Sequence, residues 1–352
     1  MTPDPSFWRG RRVLLTGHTG FKGAWAALWL RRMGADVCGL SLAPEGSPNL
    51  YDLLNPQTSA DWCDLRNPQS VTACVQRAMP EIVLHMAAQS VVRRGYAAPV
   101  ETFATNVQGT VNLLEALRET EGVKAVMVIT SDKVYRNDGK GRAFQEEDPL
   151  GGKDPYSASK ACAEHVTSAY AASFLEPKGV RVASARGGNV IGGGDFTVDR
   201  ILPDIWRATS AGTPLQMRSP RSVRPWQHVL DCLAGYFVFT EQLVSNDEAP
   251  RHINIGPDIE DTLEVLPLAE TFISAYGKTV PIEIDTSPQP PEAPMLRIDP
   301  RLAATCLGWR GRIDARNAAR LAAEWYAGYD AGVAAQDLCV EQIESYANGE
   351  LG

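Results

Sequence analysis

The sequence predicts an α/β fold, a parallel sheet with crossover helices on its faces and a smaller, mixed C-terminal domain, and three observations predict it. Short apolar runs that read as strands recur at residues 13–15, 36–42, 81–89, 125–129 and 180–185. Helix-like stretches alternate with them at 24–33, 105–117 and from 156 to about 174. Glycines at 17, 20 and 23 stand at the junction of the first strand and the first helix. Strands and helices alternating at this rhythm imply parallel strands joined by crossover helices. With 352 residues, 44% of them apolar, the chain can bury the core such a sheet needs.

Taken in order, the first strand runs into Thr16-Gly17-His18-Thr19-Gly20-Phe21-Lys22-Gly23. The G-x-x-G-x-x-G spacing permits a tight turn and close backbone approach, and leaves a helix N-terminus free to receive a pyrophosphate. The flanking strand and helix favour a Rossmann-type dinucleotide site over a simple turn, so Gly17, Thr19, Gly20, Phe21 and Gly23 are expected at a cofactor. A ribose-binding carboxylate is expected about twenty residues on. The chain has Ser41-Leu42-Ala43-Pro44 there, which does not settle NAD against NADP. In Asp61-Trp62-Cys63-Asp64-Leu65-Arg66 two readings stand: Asp64 and Leu65 meet the adenine, or Asp64 is an ordinary turn residue. The next strand ends in His85-Met86-Ala87-Ala88-Gln89, where Ala87 and Ala88 would let a cofactor lie close and His85 reads as structural.

The proton-transfer groups concentrate between residues 129 and 160. An apolar strand delivers Thr130-Ser131-Asp132-Lys133 at its end, which is where open α/β sheets place their chemistry. A polar loop follows, then Tyr156-Ser157-Ala158-Ser159-Lys160 opens an Ala-rich helix. Tyr156 and Lys160, at i and i+4, share a helix face, and an ammonium beside a phenol favours the phenolate. Tyr156 is therefore expected to serve as a base near neutrality.

The strand at 180–185 leads into Arg186-Gly187-Gly188-Asn189-Val190-Ile191-Gly192-Gly193-Gly194-Asp195, whose glycines read either as backbone built around a ligand or as a flexible loop. Arg200, Arg218, Arg221 and Arg224 then accumulate in an otherwise acidic chain. Guanidinium forks match phosphate oxygens, so the cluster suits a diphosphate, although surface salt bridges would use the same residues. These features divide the chain into a dinucleotide-binding domain at 1–188, with returning segments from about 225–255, and a mainly substrate-binding part at 189–352.

Composition narrows the partners. A formal net charge of -8 argues against nucleic acid and anionic membranes. Seven scattered cysteines, never in a C-x-x-C pair, suggest neither a disulfide frame nor a metal site, and read as reduced cytoplasmic thiols. No run approaches the length of a membrane span, and residues 1–12 lack an apolar signal region.

The sequence resembles the extended short-chain dehydrogenase/reductases, and within them the nucleotide-sugar 4,6-dehydratases. The likeness rests on Phe7-Trp8, the glycine loop, His85-Met86-Ala87-Ala88-Gln89, Thr130-Ser131-Asp132-Lys133, Asp154-Pro155-Tyr156-Ser157-Ala158-Ser159-Lys160, the 188–195 glycines, Arg224-Pro225-Trp226-Gln227-His228 and Leu307-Gly308-Trp309. Related dTDP-sugar enzymes carry Asp-Glu where this chain has Asp132-Lys133, which points to the CDP-sugar branch.

The resemblance implies NAD as cofactor and a nucleotide-sugar substrate, CDP-glucose being favoured. It also implies a homodimer or homotetramer assembled partly through the Tyr156 helix. Tyr156, helped by Lys160 and Ser131, would take the O4 proton while hydride leaves C4. Lys133 would remove the C5 proton as Asp132 protonates the departing C6 hydroxyl, and hydride would return to C6. Asn189, Arg200 and Arg224 would hold the diphosphate, with Gln89 also at the substrate. Lys133 must be neutral to act as a base. Lys160 and the positive nicotinamide would lower its pKa while Asp132 would raise it, and a purely structural pairing with Asp132 is the competing account.

Two segments depart from the family pattern: the loop Arg136-Asn137-Asp138-Gly139-Lys140-Gly141-Arg142-Ala143-Phe144, and Gln289-Pro290-Pro291-Glu292-Ala293-Pro294, which lacks an expected histidine. They leave the exact nucleotide and sugar open. An epimerase, a simple dehydrogenase or a cofactor sensor on the same fold would use the glycine loop and, if catalytic, Tyr156 and Lys160. None of them has an evident need for Asp132-Lys133.

Overall fold

That both faces of the sheet are covered is visible in the alternation of its first strand. The computed structural model describes residues 1–351 except 57, 292 and 294, and in it β1 (Arg12–Thr16) sends Val13 and Leu15 to one core and Leu14 to the other. After a short helix α1 (Pro5–Trp8) and β1 come α2 (Phe21–Arg32), β2 (Asp36–Ser41), α3 (Leu50–Leu54), β3 (Ser59–Trp62), α4 (Pro68–Ala78) and β4 (Ile82–His85). The chain continues through α5 (Val92–Ala97), α6 (Pro99–Phe103), α7 (Gly109–Arg118), β5 (Ala125–Ile129), α8 (Pro155–Tyr170) and β6 (Arg181–Gly187). Strand β5 is buried at every residue, as a strand with helices on both faces must be.

Beyond β6 lie β7 (Asn189–Ile191), α9 (Ile201–Ala211), β8 (Leu215–Met217), β9 (Val223–Arg224), β10 (Trp226–His228), α10 (Val229–Ser245) and β11 (His252–Ile255). The chain closes with β12 (Leu263–Glu264), α11 (Val265–Tyr276), β13 (Ile282–Ile284), α12 (Arg301–Leu307), α13 (Ala315–Asp330) and α14 (Ala335–Ala347). The main sheet has the order β11-β6-β5-β4-β1-β2-β3, and every neighbouring pair in it is parallel. Strand β11 thus extends the sheet at its far edge, and the almost wholly buried α10 packs on its face.

Three two-stranded pieces, β7 with β10, β9 with β12 and β8 with β13, form the substructure outside the main sheet. Helices α9, α11 and α13 brace it through Trp206, Phe272, Trp325 and Tyr326, which gather with Phe196 of the loop before α9, the rings meeting mostly edge to face. This packing explains the 187–194 glycines in a way neither sequence reading anticipated. A Cβ on Gly193 would sit 1.9 Å from Trp325 Cγ, and one on Gly187 would sit 2.5 Å from the Tyr236 hydroxyl. Tertiary neighbours demand these two glycines.

Candidate functional site

The sheet is entered at β1 and built outward in both directions, so a crevice opens at the carboxyl ends of β1 and β4. Gly17 occupies it with φ +75°, and a Cβ there would come within 2.7 Å of the Ala87 backbone. A Cβ on Gly23 would lie 2.0 Å from the Gly17 carbonyl oxygen. The Thr16 hydroxyl accepts from the Met86 and Ala87 amides, each at 3.1 Å, tying the loop to the end of β4. Gly20 caps α2 without a side-chain acceptor, so the first N–H groups of that helix are open to an anion. This cradle fits a dinucleotide pyrophosphate.

The other expected cofactor residues have partners of their own. Thr19 shares a 2.7 Å hydrogen bond with the Ser41 hydroxyl and donates to the Leu42 carbonyl, joining the loop to the end of β2. Phe21 is buried near Gly192, and Ala88 is half-buried beyond β4. Both Asp64 oxygens accept from Arg66, which also holds the carboxyl below its usual range. The Leu65 carbonyl accepts from Asn112 at 2.7 Å. His18 is fully buried, stacked against Trp62 with its edge on Tyr51. Burial lowers its pKa to about 4.

Ser131, Asp132 and Lys133 leave the end of β5, and Tyr156 enters on the first turn of α8, capped by Asp154 accepting from the Ser157 amide. Lys160 reaches back to donate to the Ile129 carbonyl at 3.0 Å. The Ser131 hydroxyl donates to Asp132 Oδ1 at 3.0 Å; the Lys133 amine lies 3.3 Å from that oxygen and 3.3 Å from Asn189 Oδ1. Asp132 is fully buried, and its Oδ2 has no hydrogen-bond partner among the described residues. Below the site, Glu164 on α8 and Arg186 on β6 form a buried ion pair that also gathers Thr130 and Ser184.

One electrostatic expectation needs correction. Burial raises the Tyr156 pKa above the ordinary phenol value, and the opposing influences are chiefly Lys133 and the Ser131 hydroxyl. The i+4 charge of Lys160 does not by itself hold Tyr156 as phenolate, because Lys160 is itself desolvated. Burial, with help from Lys22, lowers its pKa to about 7.

A cavity of about 340 Å³ runs from Tyr156, Ser131 and Lys133 past Asn189, Arg200 and Arg224. Arg200 bonds Asp195 at 3.1 Å and the Ser90 hydroxyl at 3.0 Å; Arg224 is buried. Gln89 is placed differently from the substrate role expected for it. Its Nε2 donates to Thr102 and its Oε1 accepts from the Val91 amide, and it is not among the residues lining the cavity. Arg221 is exposed and also lies outside that lining. Among the departing segments, Gln289 and Pro290 reach the cavity, while Glu292 and Pro294 lie outside the described residues.

Lys22 and Arg93 are among the lining residues left unassigned in the sequence reading. Lys22, within the glycine motif, lies 3.4 Å from the Tyr236 hydroxyl, and burial pulls its pKa down while Asp132 pushes it up. A lysine on the first turn of the helix that the glycine loop opens was the signal that could have found it. Arg93 on α5 carried no local signal, since nothing in the sequence places that helix at the cavity mouth.

Comparison with known proteins agrees with this geometry. The profile of the NAD dependent epimerase/dehydratase family matches residues 13–256. A CDP-glucose 4,6-dehydratase of Salmonella typhimurium is 43% identical over 317 residues, covering 88% of each chain. The NAD complex of UDP-glucose 4-epimerase from Thermus thermophilus superposes with a TM-score of 0.78 at 25% identity, covering 90% of this chain and 99% of the other. A dTDP-glucose 4,6-dehydratase from Bacillus anthracis, also crystallised with NAD, shares the fold with a TM-score of 0.74 at 22% identity, covering 89% and 96%.

Proposed function

The chain belongs to the NAD dependent epimerase/dehydratase family, and from that premise we propose that it is a CDP-glucose 4,6-dehydratase, a hydro-lyase converting CDP-D-glucose to CDP-4-keto-6-deoxy-D-glucose. The observation that carries this reading is the Asp132–Lys133 pair: Lys133 lines the same cavity as Tyr156, and the fully buried Asp132 lies 3.3 Å from its amine. Oxidation at C4 needs one proton acceptor, whereas eliminating water across C5 and C6 needs a further base and a further acid.

NAD, when bound, supplies the hydride acceptor for C4 and the hydride donor for C6. Tyr156 takes the O4 proton, with Lys133, the Ser131 hydroxyl and Arg200 favouring the phenolate against its burial. The resulting ketone acidifies C5–H. Moving one proton across the 3.3 Å contact from Lys133 to Asp132 turns an ion pair into an amine and a carboxylic acid. The amine then removes the C5 proton, and the acid, with its unpartnered Oδ2, protonates the leaving C6 hydroxyl. After hydride return, the Lys133 ammonium gives its proton back to C5, and the O4 proton held by Tyr156 passes by way of the Ser131 hydroxyl to Asp132, which restores the acid. Asn189, Arg200 and Arg224 hold the diphosphate.

Residues 1–188, with returning segments at about 225–255, serve the cofactor, and 189–352 mainly serve the nucleotide sugar; α10 and β11 on the main sheet support that division. We assign the protein to the cytoplasm and to deoxysugar biosynthesis, with its seven cysteines as free thiols. No described helix is long and apolar enough to cross a membrane. Exposed Val100 and Phe103 on α6, beside α8, support a homodimer or homotetramer.

Purified protein with NAD should be incubated separately with CDP-glucose, dTDP-glucose, GDP-mannose and UDP-glucose while alkali-induced absorbance of a 4-keto-6-deoxy sugar is followed. Signal with CDP-glucose alone is the expected result. Signal with another nucleotide moves the substrate to a different dehydratase class. Silence with all four, with cofactor bound, favours an epimerase.

A further inference from the structure

The cavity has a chemical direction. Tyr156, Lys133, Asn189 and Arg224 line it alone, whereas Leu215, Gln216, Arg218 and, from α5, Arg93 also line a neighbouring cavity and so mark its outer end. A nucleotide sugar with its hexose on Tyr156 and its diphosphate among the arginines therefore has its base at the outer end. A second cavity of about 440 Å³ adjoins there and shares Arg93, Asp199, Gln216 and Arg218 with the first.

Asp199 is the acceptor at that end. Arg218 donates to its Oδ1 at 2.6 Å, and Arg93 Nε lies 3.6 Å from the same oxygen. Oδ2 is engaged by no described residue, and the side chain is 36% exposed, open to a ligand. Asp199 has φ +63°, in the left-handed region that Asp tolerates better than most residues. Arg93 is steadied by donating to Gln289 Oε1 at 2.8 Å, while Gln289 donates to Asp285 at 2.8 Å. The ensemble presents a free carboxylate oxygen flanked by guanidinium donors.

Cytosine presents the complement of that pattern. Its 4-amino group is a donor, and its N3 and O2 are acceptors; a carboxylate accepting from N4 is the expected pairing. Uracil and thymine place a carbonyl oxygen at C4 and a donor at N3. Their O4 would meet Asp199 Oδ2 lone pair to lone pair, a repulsive element that discriminates between partners. We propose that Asp199, held between Arg93 and Arg218, is the residue by which this chain selects a cytosine nucleotide over a uracil or thymine nucleotide. The inference rests on the cytidine-nucleotide reading of the function.

Calorimetric titration of the NAD-loaded protein with CDP, UDP and dTDP tests it, with thermal melting to establish that each variant is folded. Wild-type protein should prefer CDP. Asp199→Asn, whose amide can turn its N–H groups toward O4, should narrow the CDP-to-UDP affinity ratio about 10-fold or more. Asp199→Ala should weaken CDP and, with the repulsion removed, strengthen UDP, and it reads the same ratio if the Asn variant does not fold. Equal weakening of both nucleotides in the variants, as an ordinary exposed ion pair would give, overturns the assignment. So does an unchanged preference. A wild-type protein that binds UDP or dTDP as tightly as CDP sinks the cytidine reading of the function instead.

Discussion

Substituting Glu164 by Gln should destabilise the protein by about 3–5 kcal/mol, the usual cost of leaving one member of a buried ion pair unpaired. Glu164 and Arg186 side chains are 2% and 3% exposed. Glu164 accepts from Arg186 Nε at 3.1 Å and Nη2 at 2.9 Å, and from the Ser184 hydroxyl at 2.7 Å. Gln keeps the shape but presents an NH2 to this group of donors and leaves a buried guanidinium without its counter-charge. Those hydrogen bonds and the Arg186 charge hold the Glu164 carboxyl below its usual range despite burial. Its contribution is therefore present above about pH 4.5 and lost as pH falls through the depressed native value. At neutral pH the melting temperature should fall by about 4–7 °C, measured by scanning calorimetry in parallel with urea unfolding. Glu164→Met combined with Arg186→Met removes both charges and should recover part of the loss, although Arg186 also donates to Tyr135 and to the Glu146 carbonyl. A loss below about 1 kcal/mol for Glu164→Gln, or a double variant no better than the sum of the singles, would refute the ion-pair argument.

Other expectations follow from the site and the core. Lys133→Ala should still bind NAD but stall after C4 oxidation, seen as reduced-nicotinamide absorbance persisting in a single turnover; full turnover removes the C5-base role. Lys22→Met takes away a charge that lowers the Lys160 pKa of about 7, so the Lys160 limb of the kcat/KM profile should move to higher pH. A limb that stays in place means Lys160 does not feel Lys22. His18, His85 and His228 are held neutral by burial, with pKa values of about 4, 3 and 3. The unfolded chain binds these protons near pH 6.5, so stability should decline below that value and keep declining until the native values are reached. The loss is up to about 1.4 kcal/mol per histidine for the first pH unit. His228→Asn, which keeps an acceptor for the Leu230 amide, should flatten this decline as followed by denaturant unfolding; an unchanged slope excludes His228 as a source.

The features legible in the amino-acid order were local ones. Alternating apolar runs at 13–15 and 125–129, the glycines at 17 and 23, and the i, i+4 pair Tyr156 and Lys160 each depend on neighbours a few residues away, and the structure places them as a strand–loop–helix cradle and a strand-end cluster. Which polar groups remained available was settled by packing between distant segments. Gln89 sits in a legible strand-end motif, yet Thr102 and the Val91 amide consume it. Lys22, Arg93 and Asp199 come from three separate elements and meet only at the cavity wall. Gly193 belongs to a run that reads as loop or ligand backbone, but Trp325 on a distant helix is what requires it. Tyr156 has the expected lysine one turn along, and its pKa still rises, because desolvation depends on everything packed around the phenol and not on its neighbours in the chain.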